Sequence, residues 1–143
     1  MRRRYKILLW VVIGIWAIAM STLVAPMLVR GYYEKNAVLA QFSEYSASLV
    51  NRHFDLAYQH CGSEFRKAMS YDQFVKLYGD LERQYGTLKT VTQQGYEVHG
   101  TGSPVYWTAV IDADFVYEKK TLRFEFALHK SGNGWVIFGF QPA

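Results

Sequence analysis

Residues 7–29 are 23 in a row without a charged side chain, and no other feature constrains this chain as much. As a helix they span about 35 Å, enough to cross the hydrocarbon core of a bilayer with some tilt. Gly14 and Pro26 fit that reading, because membrane helices tolerate both. The same stretch holds Ala17-Ile18-Ala19, the small-x-small form after which a signal peptidase cuts, and residues 7–16 are long enough for a signal peptide's apolar region. A cut after Ala19 would leave the apolar run Met20 to Val29 exposed to water at the new end of the chain. The pattern therefore favours a retained signal-anchor over 7–29, preceded by a basic end over 1–6, and makes the lipid bilayer the first expected partner. Arg2, Arg3, Arg4 and Lys6 precede the segment, whereas Arg30 and Lys35 follow it with Glu34 between them. That bias predicts a single-pass cell-membrane protein, cytoplasmic at its amino end, with residues 31–143 outside, periplasmic or extracellular.

Charge placed along the chain argues against nucleic acid. The formal charge is +4, but residues 31–143 carry eleven Lys or Arg against twelve Asp or Glu. Phosphate binding needs clustered cations, and the only basic run lies beside the apolar segment. The single cysteine, Cys61, excludes an internal disulfide, so the domain must be held by its core. Cys61 itself is read as a small buried hydrophobe, with an intermolecular disulfide or a reactive thiol as the alternatives.

No Pro-, Ser- or Gly-rich linker follows the apolar segment. Residues 31–36 are the whole connection, which predicts a domain seated against the membrane surface. Val38, Phe42, Tyr45 and Leu49 recur at spacings of four, three and four, predicting a first helix over 33–50 with Gly31 as a candidate hinge. A short second helix is expected to carry Phe54, Ala57, Tyr58 and Cys61 on one side. The third opens at Ser70, an N-cap with Gln73 as its capping-box partner and Met69 and Phe74 placed as a hydrophobic staple. Phe74, Leu77, Tyr78, Leu81 and Tyr85 form its buried stripe, and Gly86 is expected to stop it in the left-handed conformation.

From Leu88 the period changes to two. Residues 88–98 read as a first, weaker strand. Over 105–118, Val105, Trp107, Ala109, Ile111, Ala113, Phe115 and Tyr117 alternate with Tyr106, Thr108, Val110, Asp112, Asp114, Val116 and Glu118, the pattern of a half-buried strand. A turn at Glu118-Lys119 sets Phe115 opposite Leu122, Ala113 opposite Phe124, Ile111 opposite Phe126 and Asp114 opposite Arg123, so like falls against like on both faces. Ser131-Gly132-Asn133-Gly134 is a hairpin turn into a last strand over 135–141. The expected fold class is α+β: an N-terminal transmembrane helix, then three helices packed on a four-stranded antiparallel sheet.

Three helices followed by four antiparallel strands, with "FDLAYQHCGSEFRKAMSYDQFVKLYGDLERQYG" in the helical part and a terminal "GWVIFGF", resemble the nuclear transport factor 2-like superfamily, which includes ketosteroid isomerase-like and SnoaL-like proteins. The resemblance covers residues 36–141. It implies a cone-shaped domain with a curved sheet, whose interior is either a ligand pocket or a filled core. Anchored members of that superfamily include scaffold components of type IV secretion systems and membrane-proximal domains of penicillin-binding proteins. The function expected on this basis is a membrane-anchored extracytoplasmic interaction or scaffold domain without catalysis of its own, the alternative being a binder of small apolar ligands or an isomerase-like enzyme.

An isomerase-like site needs a carboxylate base in an apolar pocket with a donor for the developing oxyanion. Asp112 and Asp114 have the parity of the opposite face, and Glu44, Asp72 and Glu82 fall off the apolar stripes. His53, His60 and Cys61 match no established metal spacing, and Gly100-Thr101-Gly102-Ser103-Pro104 has neither the Lys nor the following helix of a phosphate loop. No catalytic residue, metal or cofactor is assigned. Tyr45, Tyr58, Tyr78, Trp107 and Trp135 are candidate pocket-lining residues, with a packed core as the simpler account. A two-residue turn at Gly132-Asn133 or Asn133-Gly134 puts Ile137 beside Leu128 or Phe126 and turns Val136, Phe138 and Phe140 outward with Val110 and Ala127. A three-residue turn reverses that parity. Two Phe on a solvated face make these five a candidate interface, for a homodimer or another envelope protein.

Overall fold

A computed structural model of the chain describes the backbone of residues 2–132 and 134–143, and the side chains of residues 15, 17–19, 24–26, 28–132 and 134–143. The elements are α1 (Arg2–Val50), α2 (Phe54–Gln59), α3 (Ser63–Ala68), α4 (Tyr71–Tyr85), β1 (Leu88–Thr101), β2 (Tyr106–Tyr117), β3 (Thr121–Ser131) and β4 (Gly134–Pro142). The class is α+β, with one antiparallel sheet in the order β1-β2-β3-β4. Two compact units divide the chain, one up to Glu34 and one over Lys35–Ala143. Among the described residues no helix is long and apolar enough to cross a membrane. Most side chains of the 7–29 stretch, those of residues 7–14, 16, 20–23 and 27, lie outside the described set.

Two helical expectations need correction. The helix predicted from residue 33 has no boundary there, since α1 is helical through Gly31. The domain also holds one helix more than the three expected, because α3 forms between Gly62 and Met69. Six residues are too few for a periodic apolar signal, and only Phe65 of α3 is buried.

α4 begins as its sequence predicts. Ser70 Oγ accepts from the Gln73 backbone N–H at 3.3 Å, and the Ser70 N–H donates to Gln73 Oε1 at 2.9 Å. It ends at Gly86, whose φ is 84° but whose ψ is −173°. That is an extended, glycine-only conformation rather than the left-handed helical one expected. The reason lies in the next contacts: the Lys119 N–H donates to Tyr85 O at 2.9 Å and the Glu118 N–H to Thr87 O at 3.2 Å. Gly86 thus turns the chain directly onto the β2–β3 turn.

The predicted β2–β3 register is present in full, with Ile111 against Phe126, Ala113 against Phe124, Asp114 against Arg123 and Phe115 against Leu122. Alternation along β2 buries Ala109, Ile111, Ala113, Phe115 and Tyr117 toward the helices. From α1, Val38, Phe42, Tyr45 and Leu49 meet them, and α4 adds Phe74 and Tyr78. Aromatic rings run through the interior in contact. Phe42 lies 5.0 Å from Phe126, Phe126 5.7 Å from Phe115, Phe115 6.4 Å from Tyr78, Tyr78 4.9 Å from Phe74, and Phe74 6.1 Å from Phe65.

β4 contains the main departure from simple alternation. Ser131 pairs with Gly134, which makes the loop the two residues Gly132-Asn133, although Asn133 itself lies outside the described residues. Ile137 pairs with Leu128, but Gly139 then pairs with Ala127, so Phe138 is an extra residue opposite a single step of β3. Such a bulge reverses the parity of everything beyond it. Phe140 therefore pairs with Phe126 and stacks on its ring at 5.2 Å, with Tyr78 at 6.3 Å and Phe65 at 6.0 Å. The free edge of β4 is capped at Ile137, whose N–H donates to His60 O at 2.9 Å and whose carbonyl accepts from the Gly62 N–H at 2.7 Å.

Candidate interaction surface

The face of the sheet turned away from the helices carries Val110 on β2, Ala127 on β3, and Val136 and Phe138 on β4. Val110 is directly opposite Ala127, and Val136 opposite His129. Phe138 is 41% exposed. Phe140, expected here, is not part of this face, for the bulge turns it toward the helices, where it packs half-buried against the core. The His129 ring lies 5.4 Å from Phe138 and 5.9 Å from Tyr106, so the three rings form a row across β4, β3 and β2. Glu64 of α3 reaches the same imidazole, with Oε2 at 3.5 Å from Nε2. Its carboxyl is held below the usual range, chiefly by its own backbone N–H and then by His129.

Further along the same face the character becomes ionic. Arg123 Nε donates to Asp114 Oδ1 at 2.7 Å and Nη2 to Oδ2 at 3.0 Å, a bidentate pair that lowers the Asp114 pKa and raises that of Arg123. Gln141 Nε2 donates to Glu125 Oε1 at 3.0 Å. Asp112 and Asp114 thus stand on the face that their parity predicts, away from the interior. The surface is apolar toward the β3–β4 turn and polar toward the β2–β3 turn.

Of the five candidate pocket residues, Tyr45, Tyr78 and Trp135 are buried in the packed core, and Tyr58 and Trp107 are half-buried against it. Tyr45 and Tyr78 are brought together, their hydroxyls 2.7 Å apart and both rings buried. Tyr58 joins the same ring cluster through Phe74 at 5.3 Å and donates its hydroxyl to Met69 O at 2.8 Å. Trp107 lies across Gly100, and Trp135 is buried on β4. Burial is the main cause that pushes Tyr45, Tyr78 and Tyr117 upward and takes the Cys61 thiol to about 12. All four are therefore neutral at physiological pH, and none is prepared to act as a base or nucleophile.

Among the ion pairs that sequence reasoning missed, the most buried carboxylate is that of Glu82. Glu82 was read as lying off the apolar stripe, yet its side chain is only 11% exposed and Arg52 Nη2 stands 2.6 Å from Oε2. Arg52 reaches it from a left-handed backbone, φ 61°, at the end of α1, where its N–H donates to Leu49 O. An Arg doing what Gly or Asn usually does leaves no mark in the sequence. His60 was considered with His53 and Cys61 as a metal set. Its Nδ1 instead accepts from Gln41 Nε2, and among the described residues no three metal-ligating side chains come together.

The fold defines an α+β domain with an aromatic core and a half-apolar outer sheet face. No model of a known protein family matches the chain, and no curated protein is found similar to it.

Proposed function

We propose that this chain is a single-pass, membrane-anchored protein whose domain lies outside the membrane and acts as an interaction module, not as an enzyme. In this proposal residues 7–29 are the retained anchor, and residues 36–141 form a nuclear transport factor 2-like domain that pairs with a second copy through its outer sheet face. The observation that carries the proposal is Phe138, exposed in the row with His129 and Tyr106 and flanked by Val110, Ala127 and Val136. An apolar patch of this kind, bordered by α3 at Glu64 but left exposed at Phe138, is characteristic of a contact surface. The ring-filled interior supports the same choice over a ligand-binding or isomerase role, because the volume that such a site needs is occupied by Phe115, Phe126, Phe140 and Tyr78.

The test is sedimentation of the full chain in detergent. Wild type should run as a dimer, and Phe138→Glu should run as a folded monomer. Wild type remaining monomeric at high concentration rejects self-pairing and leaves a different envelope protein as the partner.

A further inference from the structure

Of the three rings in the row on the outer face, only that of His129 belongs to a residue type that takes up a proton between about pH 8 and about pH 5. Its side chain is 13% exposed and faces an oxygen at each nitrogen: Nε2 stands 3.5 Å from Glu64 Oε2, and Nδ1 3.4 Å from Lys130 O. Carboxylate and carbonyl oxygens only accept. A neutral imidazole has one N–H and leaves one of the two without a donor, whereas the imidazolium has two and serves both. The flanking rings favour the same form, since Phe138 at 5.4 Å and Tyr106 at 5.9 Å set π electrons beside a cation.

Other charges near His129 come from three elements. On α3, Arg66 and Lys67 line the same hollow and oppose its protonation, although Arg66 is turned to α2, where Nη2 donates to Gln59 O at 3.0 Å. Cys61 in that hollow is a neutral thiol. On β1, across Thr108, stands His99, whose Nε2 is 3.3 Å from Glu97 Oε2. On β3, Lys130 follows with its side chain on the opposite face by alternation. From β4 the neighbours are Val136 and Phe138, which carry no charge.

Glu64 links this proton to the contact surface. Its side chain is 63% exposed and its carboxyl is held below the usual range, so it is a hydrated anion throughout that pH interval. A second copy laid over Phe138 takes water from the border at Glu64 and brings its own Glu64 to the same interface. An anion that loses water without a counter-charge opposes contact, and one paired with an imidazolium opposes it far less.

We propose that His129 is a proton switch on self-pairing: beside a neutral imidazole the two Glu64 carboxylates weaken the contact, and beside an imidazolium each is neutralised and the contact tightens. The proposal rests on the reading of the outer face as a self-pairing surface.

The test is sedimentation equilibrium of the full chain in detergent at about pH 7.5 and about pH 5.5 and constant ionic strength, with circular dichroism to check folding at each. Wild type should dimerise about tenfold more tightly, or better, at the lower pH. Glu64→Gln should already pair tightly at the higher pH and lose most of the response. His129→Gln should pair weakly at both, and His99→Gln should respond as wild type does. Equal wild-type constants at the two pH values, or a response that survives in His129→Gln, overturn the switch and leave self-pairing standing. Wild type monomeric at both values overturns self-pairing and the switch together. Should His129→Gln fail to fold, Glu64→Gln decides, and an unchanged response there overturns the switch.

Discussion

Phe138 and Phe140 are two residues apart, and strict alternation would give them the same fate. The bulge separates them: Phe138 stays outside, and Phe140 stacks on Phe126. At dilutions where the chain is monomeric, Phe140→Ala should therefore cost about 2 kcal/mol, less than emptying a fully buried aromatic position, because the ring is half-buried against the core. Phe138→Ala should change stability by less than about 1 kcal/mol. Chemical denaturation of both variants measures the difference, and equal losses would mean that the ladder has no bulge. Parity was legible in β2 and β3 because Thr108, Asp112, Asp114, Arg123, Glu125 and His129 all fall on one face. In β4, VIFGF offers no polar residue to mark the slip, so its faces could not be assigned by pattern alone.

His60 makes a second prediction at this scale. Burial holds its pKa below the ordinary value, with Glu44 opposing. Its Nδ1 accepts from Gln41, so a proton there removes the bond. Because the folded pKa is depressed, the stability from this group is complete above about pH 6.5, the unfolded value, and is lost as pH falls toward the folded pKa. Thermal unfolding should thus show a fall in Tm between about pH 7 and about pH 5 that His60→Gln makes shallower. An unchanged slope in the variant would assign the effect to other groups.

Among the elements, α4 shows how far local signals reach. Its start was legible because a capping box is a contact between residues three apart, and both halves are present. Its end was legible as a glycine but not as a conformation, because the β2–β3 turn that pulls Gly86 into the extended, positive-φ region lies more than thirty residues later. Two substitutions in this element should have opposite signs. Gly79→Ala meets nothing within 4 Å and should stabilise the helix by about 0.5–1 kcal/mol. At Gly86 a Cβ would stand 2.7 Å from Glu118 Cβ on a backbone at φ 84°, and Gly86→Ala should cost about 2 kcal/mol or more. Denaturation midpoints of the two variants should fall on either side of wild type. α3 lay beyond sequence reasoning for another reason: it is little more than one turn long and buries a single ring.

At the scale of the whole molecule, the apolar segment and the domain were legible as separate regions from charge and period. The order of the strands followed from two short turns. Any partner for the outer face is chosen by that partner's surface as well, and one sequence holds only half of that information. The topological proposal is tested on intact cells or spheroplasts. Protease added outside should remove residues 31–143 and leave the basic amino end protected, and a mature chain that begins at Met20 would reject the retained anchor.

The hydrogen bonds that seat residues 60–62 along β4 also limit how copies of this protein can assemble. A sheet that grows without end needs two open sides, one to receive and one to offer. Here a strand approaching β4 must first displace the bonds at Ile137, whereas among the described residues the far side of β1 has no neighbouring strand. With a single open side, pairing edge to edge joins β1 to β1 about a twofold axis and then stops. By strand pairing alone these domains can form closed pairs but cannot polymerise into fibres.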